Sequence, residues 1–251
     1  MMVSPSTSTE TIRNIGRSGD LRKRRQYDGN RGAERLADQL FLSYWLRNYS
    51  ESTMLRNYEK LLRLFPFSRL GEQPSTFKIM AVDASEPVVA EIPYPPPAPI
   101  DDILAVAKDF QNADACYRLE TWWDLWQFQG EWKLAPAHVA LCCFGPEFNQ
   151  SPSAGLAAPQ APRTPVVAFP NPNDDAALGC ALEIEFGIDA NFLPQPELPD
   201  SPRMVESNIK SLLKLVHDLD DALPVETRRL WSESGENFAE KLHQALSAAA
   251  E

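Results

Sequence analysis

The segment Tyr117–Pro136, YRLETWWDLWQFQGEWKLAP, decides how the whole chain is interpreted. Four of the chain's six tryptophans fall within eleven of its residues, namely Trp122, Trp123, Trp126 and Trp132. Large aromatic residues in an alternating pattern favour β-strands, and Gln129-Gly130 supplies a turn between two such runs. The segment therefore predicts an antiparallel hairpin with Gln129-Gly130 at its tip, in which Phe128 pairs with Glu131.

Side chains alternate across a strand, so this pairing divides the hairpin into two faces. One face carries five large apolar residues and predicts a core: Leu119, Trp123, Leu125, Trp132 and Leu134. The other face alternates charged groups with large rings: Arg118, Glu120, Trp122, Asp124, Trp126, Phe128, Glu131 and Lys133. Because desolvating an unpaired carboxylate costs several kcal/mol, we expect water to reach this second face at least in part.

Three interpretations of the second face are open. Helices cover its rings while the charges reach the rim; or it binds another protein, because tryptophan with arginine is typical of interface anchors; or its rings stack on sugars or bases. The candidate binding residues are Arg118, Trp122, Trp126 and Phe128. The register is open as well, since a three-residue loop with Gly130 in a bulge would shift the pairing.

The segments around this hairpin predict an α+β fold with a mainly antiparallel sheet, packed by N-terminal and C-terminal helices. Strand-like runs lie at 76–82 and 88–94, which form a second hairpin, and at 138–144 and 180–188. Helical periodicity predicts helices over Leu36–Trp45, over Met54–Phe65, from Ile100, from Ser201 to before Pro224, and over Val225–Ala248.

Composition divides the chain into two parts. Residues 1–32 are polar and lack hydrophobic periodicity, so they predict a disordered basic tail. Residues 33–251 predict a single α+β domain, with a long Pro-rich loop over 145–177 and a C-terminal helical region over 202–249. The Pro-rich loop is long enough to be either functional or disordered.

The charge balance limits the classes of partner. The chain has 24 basic and 35 acidic side chains and a net charge of -11, which disfavours general binding to nucleic acid or to an anionic membrane. The basic tail is the exception, because a flexible arm could contact phosphate with four consecutive cations, Arg22, Lys23, Arg24 and Arg25. No apolar run is long enough to span a bilayer, and no secretory signal begins the sequence, so we expect a cytoplasmic protein.

Candidates for catalysis are few. Asp124 followed by Glu131 and Lys133 resembles the D…(E/D)xK pattern of metal-dependent nucleases, in which two carboxylates hold Mg²⁺ and a lysine polarises the attacking water. Glu183 and Glu185 share one side of a predicted strand and could hold a metal, although a solvated strand face is the more common explanation.

Other motifs of cofactor and metal binding are missing from the sequence. It contains no glycine-rich nucleotide-binding motif and no G-x-S-x-G, and His138 with Cys142 and Cys143 lacks the spacing of a zinc site. The four cysteines are expected to be buried free thiols, and we expect no cofactor.

The sequence thus favours a non-catalytic protein that has no membrane partner and binds another macromolecule, with a protein as the favoured partner, through the tryptophan-rich hairpin or the adjoining Pro-rich loop. A metal-dependent phosphodiester hydrolase using Asp124, Glu131 and Lys133, with Glu183 or Glu185 as further candidates, is one alternative. A nucleic-acid tether using the basic tail is another.

Overall fold

The computed structural model describes residues 38–81, 88–148, 179–195, 197–232, 238 and 240–242. In this part of the chain the elements run in the order β1 Gln39–Leu46, α1 Glu51–Leu64, β2 Ser75–Ala81, β3 Ala90–Tyr94, α2 Ile100–Asp109, β4 Ala115–Phe128, β5 Trp132–Phe144, β6 Leu182–Ile188, a 3-10 turn Asp189–Phe192, α3 Ser201–Ala222 and β7 Val225–Ser232. The predicted α+β class with an antiparallel sheet is confirmed.

The seven strands form one sheet in the order β3-β2-β4-β5-β6-β1-β7, and every neighbouring pair is antiparallel. The predicted hairpin of β2 and β3 is present, and so is the central hairpin of β4 and β5. Strand β2 pairs with Ala115–Glu120 of β4, and β6 pairs with Ala140–Cys143 of β5. Among the described residues, the remainder of the central hairpin, residues 121–139, therefore extends past its neighbouring strands as a two-stranded ribbon.

The predicted helix over Leu36–Trp45 is wrong, because residues 39–46 form strand β1. This strand lies inside the sheet between β6 and β7, and Leu40, Phe41, Leu42 and Tyr44 are all almost fully buried. A strand buried on both faces has apolar residues at consecutive positions, and such a short apolar run cannot be distinguished from a buried helix by periodicity alone.

The predicted helix over Val225–Ala248 is also wrong in its first part. Residues 225–232 form edge strand β7, which pairs with β1 from Leu46↔Val225 to Leu40↔Ser232. Beyond this strand, helical conformation is described at 238 and 240–242. The segment VETRRLWS is rich in polar residues and so does not look like a strand in the sequence, because an edge strand needs few apolar side chains.

The three predicted helices that the structure confirms start at recognisable signals. Helix α1 begins after Ser50, whose backbone N–H donates to Thr53 Oγ1 at 3.0 Å in a capping box. Helix α2 begins at Ile100, and α3 begins at Ser201 with a proline in its first turn. Among the described residues, none of the helices has the length and the apolar character needed to cross a membrane.

The main hydrophobic core lies on one face of the sheet, which we call the helix face. Buried side chains of all three helices, including Tyr58, Ile103 and Leu215, belong to one cluster with the sheet residues of that face, including Trp123 and Leu125. A second, smaller cluster lies on the opposite face, with Cys116, Ala140, Cys142, Phe144 and Cys180 as its buried members. The four cysteines are buried free thiols, as expected.

Candidate binding surface on the central hairpin

The ribbon turns through a three-residue loop, whereas the sequence predicted a two-residue turn at Gln129-Gly130. Phe128 pairs with Trp132, the Gln129 N–H donates to the Glu131 carbonyl at 2.9 Å, and Gly130 has a φ of +82°. This positive φ suits glycine, which has no Cβ to clash. The expected pairing of Phe128 with Glu131 is therefore wrong, and the alternative with Gly130 in a longer loop is confirmed.

The one-residue shift leaves β4 unchanged but exchanges the faces of β5. Trp123 and Leu125 lie on the helix face as predicted, and they are 3% and 1% exposed. Trp132 and Leu134 were predicted beside them, but they pair with Phe128 and Trp126 and so share the opposite face. The expected core position of these two residues is wrong.

The helix side of the ribbon is held by an aromatic cluster around Trp123. Its ring centroid lies 5.8 Å from that of Phe65, 5.6 Å from Phe186 and 6.3 Å from Phe192. These three partners come from the end of α1, from β6 and from the 3-10 turn. The ribbon is therefore anchored through one buried tryptophan although it extends past its neighbouring strands.

The opposite side of the ribbon carries what we call the aromatic surface, made of Trp122, Trp126, Phe128, Trp132 and Leu134. Phe128 is 37% exposed and Leu134 is 44% exposed, while the three tryptophans are half-buried. The Phe128 and Trp132 rings meet edge to face, with centroids 5.5 Å apart. The burial pattern of β4 thus shows the dry and wet sides that its alternation predicted.

Two of the indole N–H groups on this surface donate to backbone carbonyls of the body of the protein. Trp132 Nε1 donates to the Pro199 carbonyl at 2.6 Å, and Trp122 Nε1 donates to the Pro74 carbonyl at 3.3 Å. The Trp122 ring also packs edge to face on His138, with centroids 5.3 Å apart. Partial burial lowers the pKa of His138 from its ordinary value. Contacts within the chain therefore hold the Trp122 and Trp132 rings in place.

Asp124 fastens a loop against the outer edge of the ribbon. Its carboxylate accepts hydrogen bonds from the Ser68 hydroxyl and from the Arg69 N–H, the latter at 2.8 Å, and the Ser68 N–H donates to the Trp122 carbonyl at 2.7 Å. This carboxylate therefore has a positioning role for which the spacing in the sequence gave no indication.

Asn208 of α3 forms hydrogen bonds with the same edge of the ribbon, at the backbone of Trp126. Its Oδ1 accepts from the Trp126 N–H at 2.9 Å, while its Nδ2 donates to the carbonyls of Trp126 at 2.9 Å and Asn191 at 2.8 Å. The buried amide replaces the hydrogen bonds of a neighbouring strand. Together with the Ser68 contact, it supplies partners to backbone groups of β4 beyond the end of β2.

Arg118, a candidate binding residue, is instead part of an ion network beside the aromatic surface. Its guanidinium donates to both oxygens of Glu185, with the longer contact at 2.8 Å, and its Nε donates to Glu120 at 3.1 Å. Lys78 Nζ donates to the same Glu120 at 3.0 Å. Burial alone would raise the pKa of Glu120, but these hydrogen bonds from Lys78 and Arg118 outweigh it and lower the pKa.

Glu183 and Glu185 share one side of β6 as predicted, but that side is not a solvated strand face. They are 1% and 9% exposed, and Arg118 neutralises Glu185. Burial raises the pKa of Glu183 to about 8, although a hydrogen bond from the Ser43 hydroxyl at 2.7 Å acts in the other direction. The Ser43 oxygen in turn accepts from Trp231 Nε1 at 3.0 Å.

The nuclease-like residues do not converge in the structure. Asp124 pairs with Pro136 and Lys133 with Gln127, so the two side chains lie on opposite faces of the ribbon. Glu131 lies in the loop, and its carboxylate contacts Lys133 Nζ at 2.8 Å. No group of three or more His, Cys, Asp or Glu side chains in the described residues is placed to hold a metal ion.

Several predicted features lie outside the described residues, so they remain predictions. They are the basic arm Arg22, Lys23, Arg24 and Arg25, the tail over 1–32, and most of the Pro-rich loop over 145–177. Comparison with family models, with curated proteins and with solved structures gives no match to this chain. The geometry of the sites is therefore the basis for the function proposed below.

Proposed function

We propose that this protein is a non-catalytic binding module whose aromatic surface receives another protein. The observation that carries the proposal is the group of three half-buried tryptophans beside exposed Phe128 and Leu134 on the ribbon. Tryptophan is among the residues that contribute most to binding energy at protein interfaces, and such anchors cluster near the centre of the contact. Single exposed apolar residues need no explanation, but the contact between the Phe128 and Trp132 rings, with Trp126 and Leu134 as the next pair on the same face, favours a recognition surface.

The fixed orientation of the rings supports binding with a small entropic cost. Trp122 and Trp132 are already hydrogen-bonded to carbonyls of the body, and Asn208 holds the backbone of Trp126. A partner would therefore immobilise few side chains, and more of the contact energy would appear as affinity.

The charges near the ribbon favour a protein over a nucleic acid. At the tip, Glu131 and Lys133 pair with each other, and Arg118 is neutralised by Glu185 and Glu120. Nucleic acid binding depends on cations that are free to contact phosphates. Lys133 and Arg118 are not free in this sense, because each already pairs with a carboxylate. Bases or sugars would have to stack on the rings without that support.

Photo-crosslinking from two exposed phenylalanines tests the proposal. A photoreactive phenylalanine analogue replaces Phe128 in one variant and Phe110 in the other; Phe110 is 44% exposed and lies at the end of α2. We expect a defined protein adduct from position 128 and none from position 110, with the adduct identified by mass spectrometry and its binding reproduced with purified components. The same adducts from both positions, or none from position 128, would reject the aromatic surface as the contact site.

A further inference from the structure

A cleft distant in sequence from the ribbon lies between the end of β1, the first turns of α1 and the turn that joins α3 to β7. Its volume is about 470 Å³, which falls within the range of small-molecule sites. The α1 side presents Thr53, Arg56, Asn57 and Lys60, and the turn at 222–224 forms the opposite wall. Thr53 is already engaged in the capping box, so the remaining polar groups determine what the cleft can bind.

The lining of the cleft is basic although the chain is acidic. Its described lining residues include Arg47, Arg56 and Lys60 and no carboxylate, whereas the whole chain has 35 acidic and only 24 basic side chains. Arg56 and Lys60 are four residues apart on one helix and so project from the same side of α1. In the described part of the chain, none of the three cations forms a salt bridge.

Backbone carbonyls hold two of these cations while leaving donors available. Arg47 donates to the Val225 carbonyl through Nε at 3.2 Å and through one terminal nitrogen at 3.0 Å, and Lys60 Nζ donates to the Ala222 carbonyl at 2.7 Å. A guanidinium has five N–H donors and an ammonium has three, so both groups can bind a further acceptor. Arg56 is exposed and could move towards a ligand at little cost.

Asn57 adds an uncharged donor to the cleft. The residue is only 5% exposed and lines the cleft, and its side chain forms no hydrogen bond within the described residues. Its amide is not among the fully buried polar atoms that lack a partner, so it faces the open space of the cleft and is available to a ligand. An oxygen-rich anion in the cleft would accept from Asn57 Nδ2 and from the three cations together.

We propose that this cleft binds a small organic phosphate, of about the size of a mononucleotide. Three cations that form no salt bridge with any described residue provide the charge that a phosphate needs, and a cavity of about 470 Å³ has room for an organic group beside the phosphate. The proposal is independent of the aromatic surface, because the two sites share no residue.

Titration calorimetry with adenosine 5′-monophosphate as the probe and uncharged adenosine as its matched comparison tests this proposal. We expect the monophosphate to bind and adenosine to bind much more weakly, and we expect added NaCl to weaken the binding. Arg56→Gln should weaken monophosphate binding about tenfold, because one charge-assisted contact is lost. Arg69→Gln makes the same change at an exposed arginine outside the cleft and should leave the affinity unchanged.

Asn57→Leu gives a second test of the cleft, with a side chain of similar size and no amide. We expect weaker monophosphate binding at a melting temperature that confirms a folded protein. Arg56 is exposed, and its substitution removes no salt bridge to another described residue, so its variant still decides the matter if Asn57→Leu does not fold. No heat of binding at millimolar monophosphate, equal affinities for the Arg56 and Arg69 variants, or equal affinities for the nucleotide and adenosine would each overturn the proposal.

Discussion

Replacing Glu183 with glutamine is expected to remove a pH-dependent part of the stability of this fold. The carboxyl is 1% exposed, and burial raises its pKa from the ordinary value of 4.5 to about 8. Between these two values the folded chain keeps a proton on Glu183 that the unfolded chain releases. The contribution is therefore fully present below pH 4.5 and is lost as the pH rises towards 8.

The size of the effect follows from the width of this pH window. Each pH unit inside it changes the free energy of unfolding by about 1.4 kcal/mol, so the wild type should lose about 3 kcal/mol relative to Glu183→Gln between pH 5 and pH 7.5. The glutamine carbonyl can still accept from the Ser43 hydroxyl, and the amide does not titrate. The substitution thus removes the titration while retaining the volume and one hydrogen bond.

Urea unfolding of both proteins at intervals from pH 4.5 to pH 9 measures this difference directly. The free energy of unfolding of the wild type, minus that of Glu183→Gln, should fall steadily up to about pH 8 and then become constant. Glu72→Gln makes the same substitution at an exposed carboxyl and serves as the baseline. A difference between wild type and Glu183→Gln that stays constant over the whole range would refute the reasoning, because it would mean that Glu183 is ionised equally in both states.

Two further variants test the contacts that hold the sheet and the ribbon, and urea unfolding measures both. Arg118→Met leaves Glu185 buried without its partner and should lower the free energy of unfolding by about 3–5 kcal/mol. Adding Glu185→Gln should recover part of that loss. A loss below about 1 kcal/mol in the single variant would show that water reaches the carboxylate. Asn208→Ala removes the partners of the Trp126 N–H and carbonyl and should cost about 2–3 kcal/mol, whereas exposed Ser207→Ala should be nearly neutral. Equal urea midpoints for the Asn208 and Ser207 variants would contradict the positioning role of Asn208.

The parts of the fold that could be predicted are those set by local periodicity. The alternation in β6 placed Leu182 and Ile184 opposite Glu183, and both Leu182 and Ile184 belong to the main core. The alternation in β4 placed Trp123 opposite Trp122, as the burial pattern of that strand shows. Strand β1 escaped detection because burial on both faces removes the alternation that marks a strand.

The parts that could not be predicted depend on pairing between distant segments. The face of Trp132 depends on whether the loop has two or three residues, and a shift of one residue reverses every side chain of β5. The burial of Glu185 depends on Arg118, which lies 67 residues earlier in the chain. Asn208 reaches the ribbon from 82 residues away, and no pattern near it in the sequence announces that contact.

The most direct test of the aromatic surface is the affinity of the partner captured from position 128. Binding of that purified partner is measured with Trp126→Ala/Phe128→Ala and with Phe110→Ala, which removes an equally exposed ring elsewhere. Loss of two interface anchors should raise the Kd about 100-fold or more in the double variant, and the Phe110 variant should bind like the wild type. Equal dissociation constants for both variants would contradict the account.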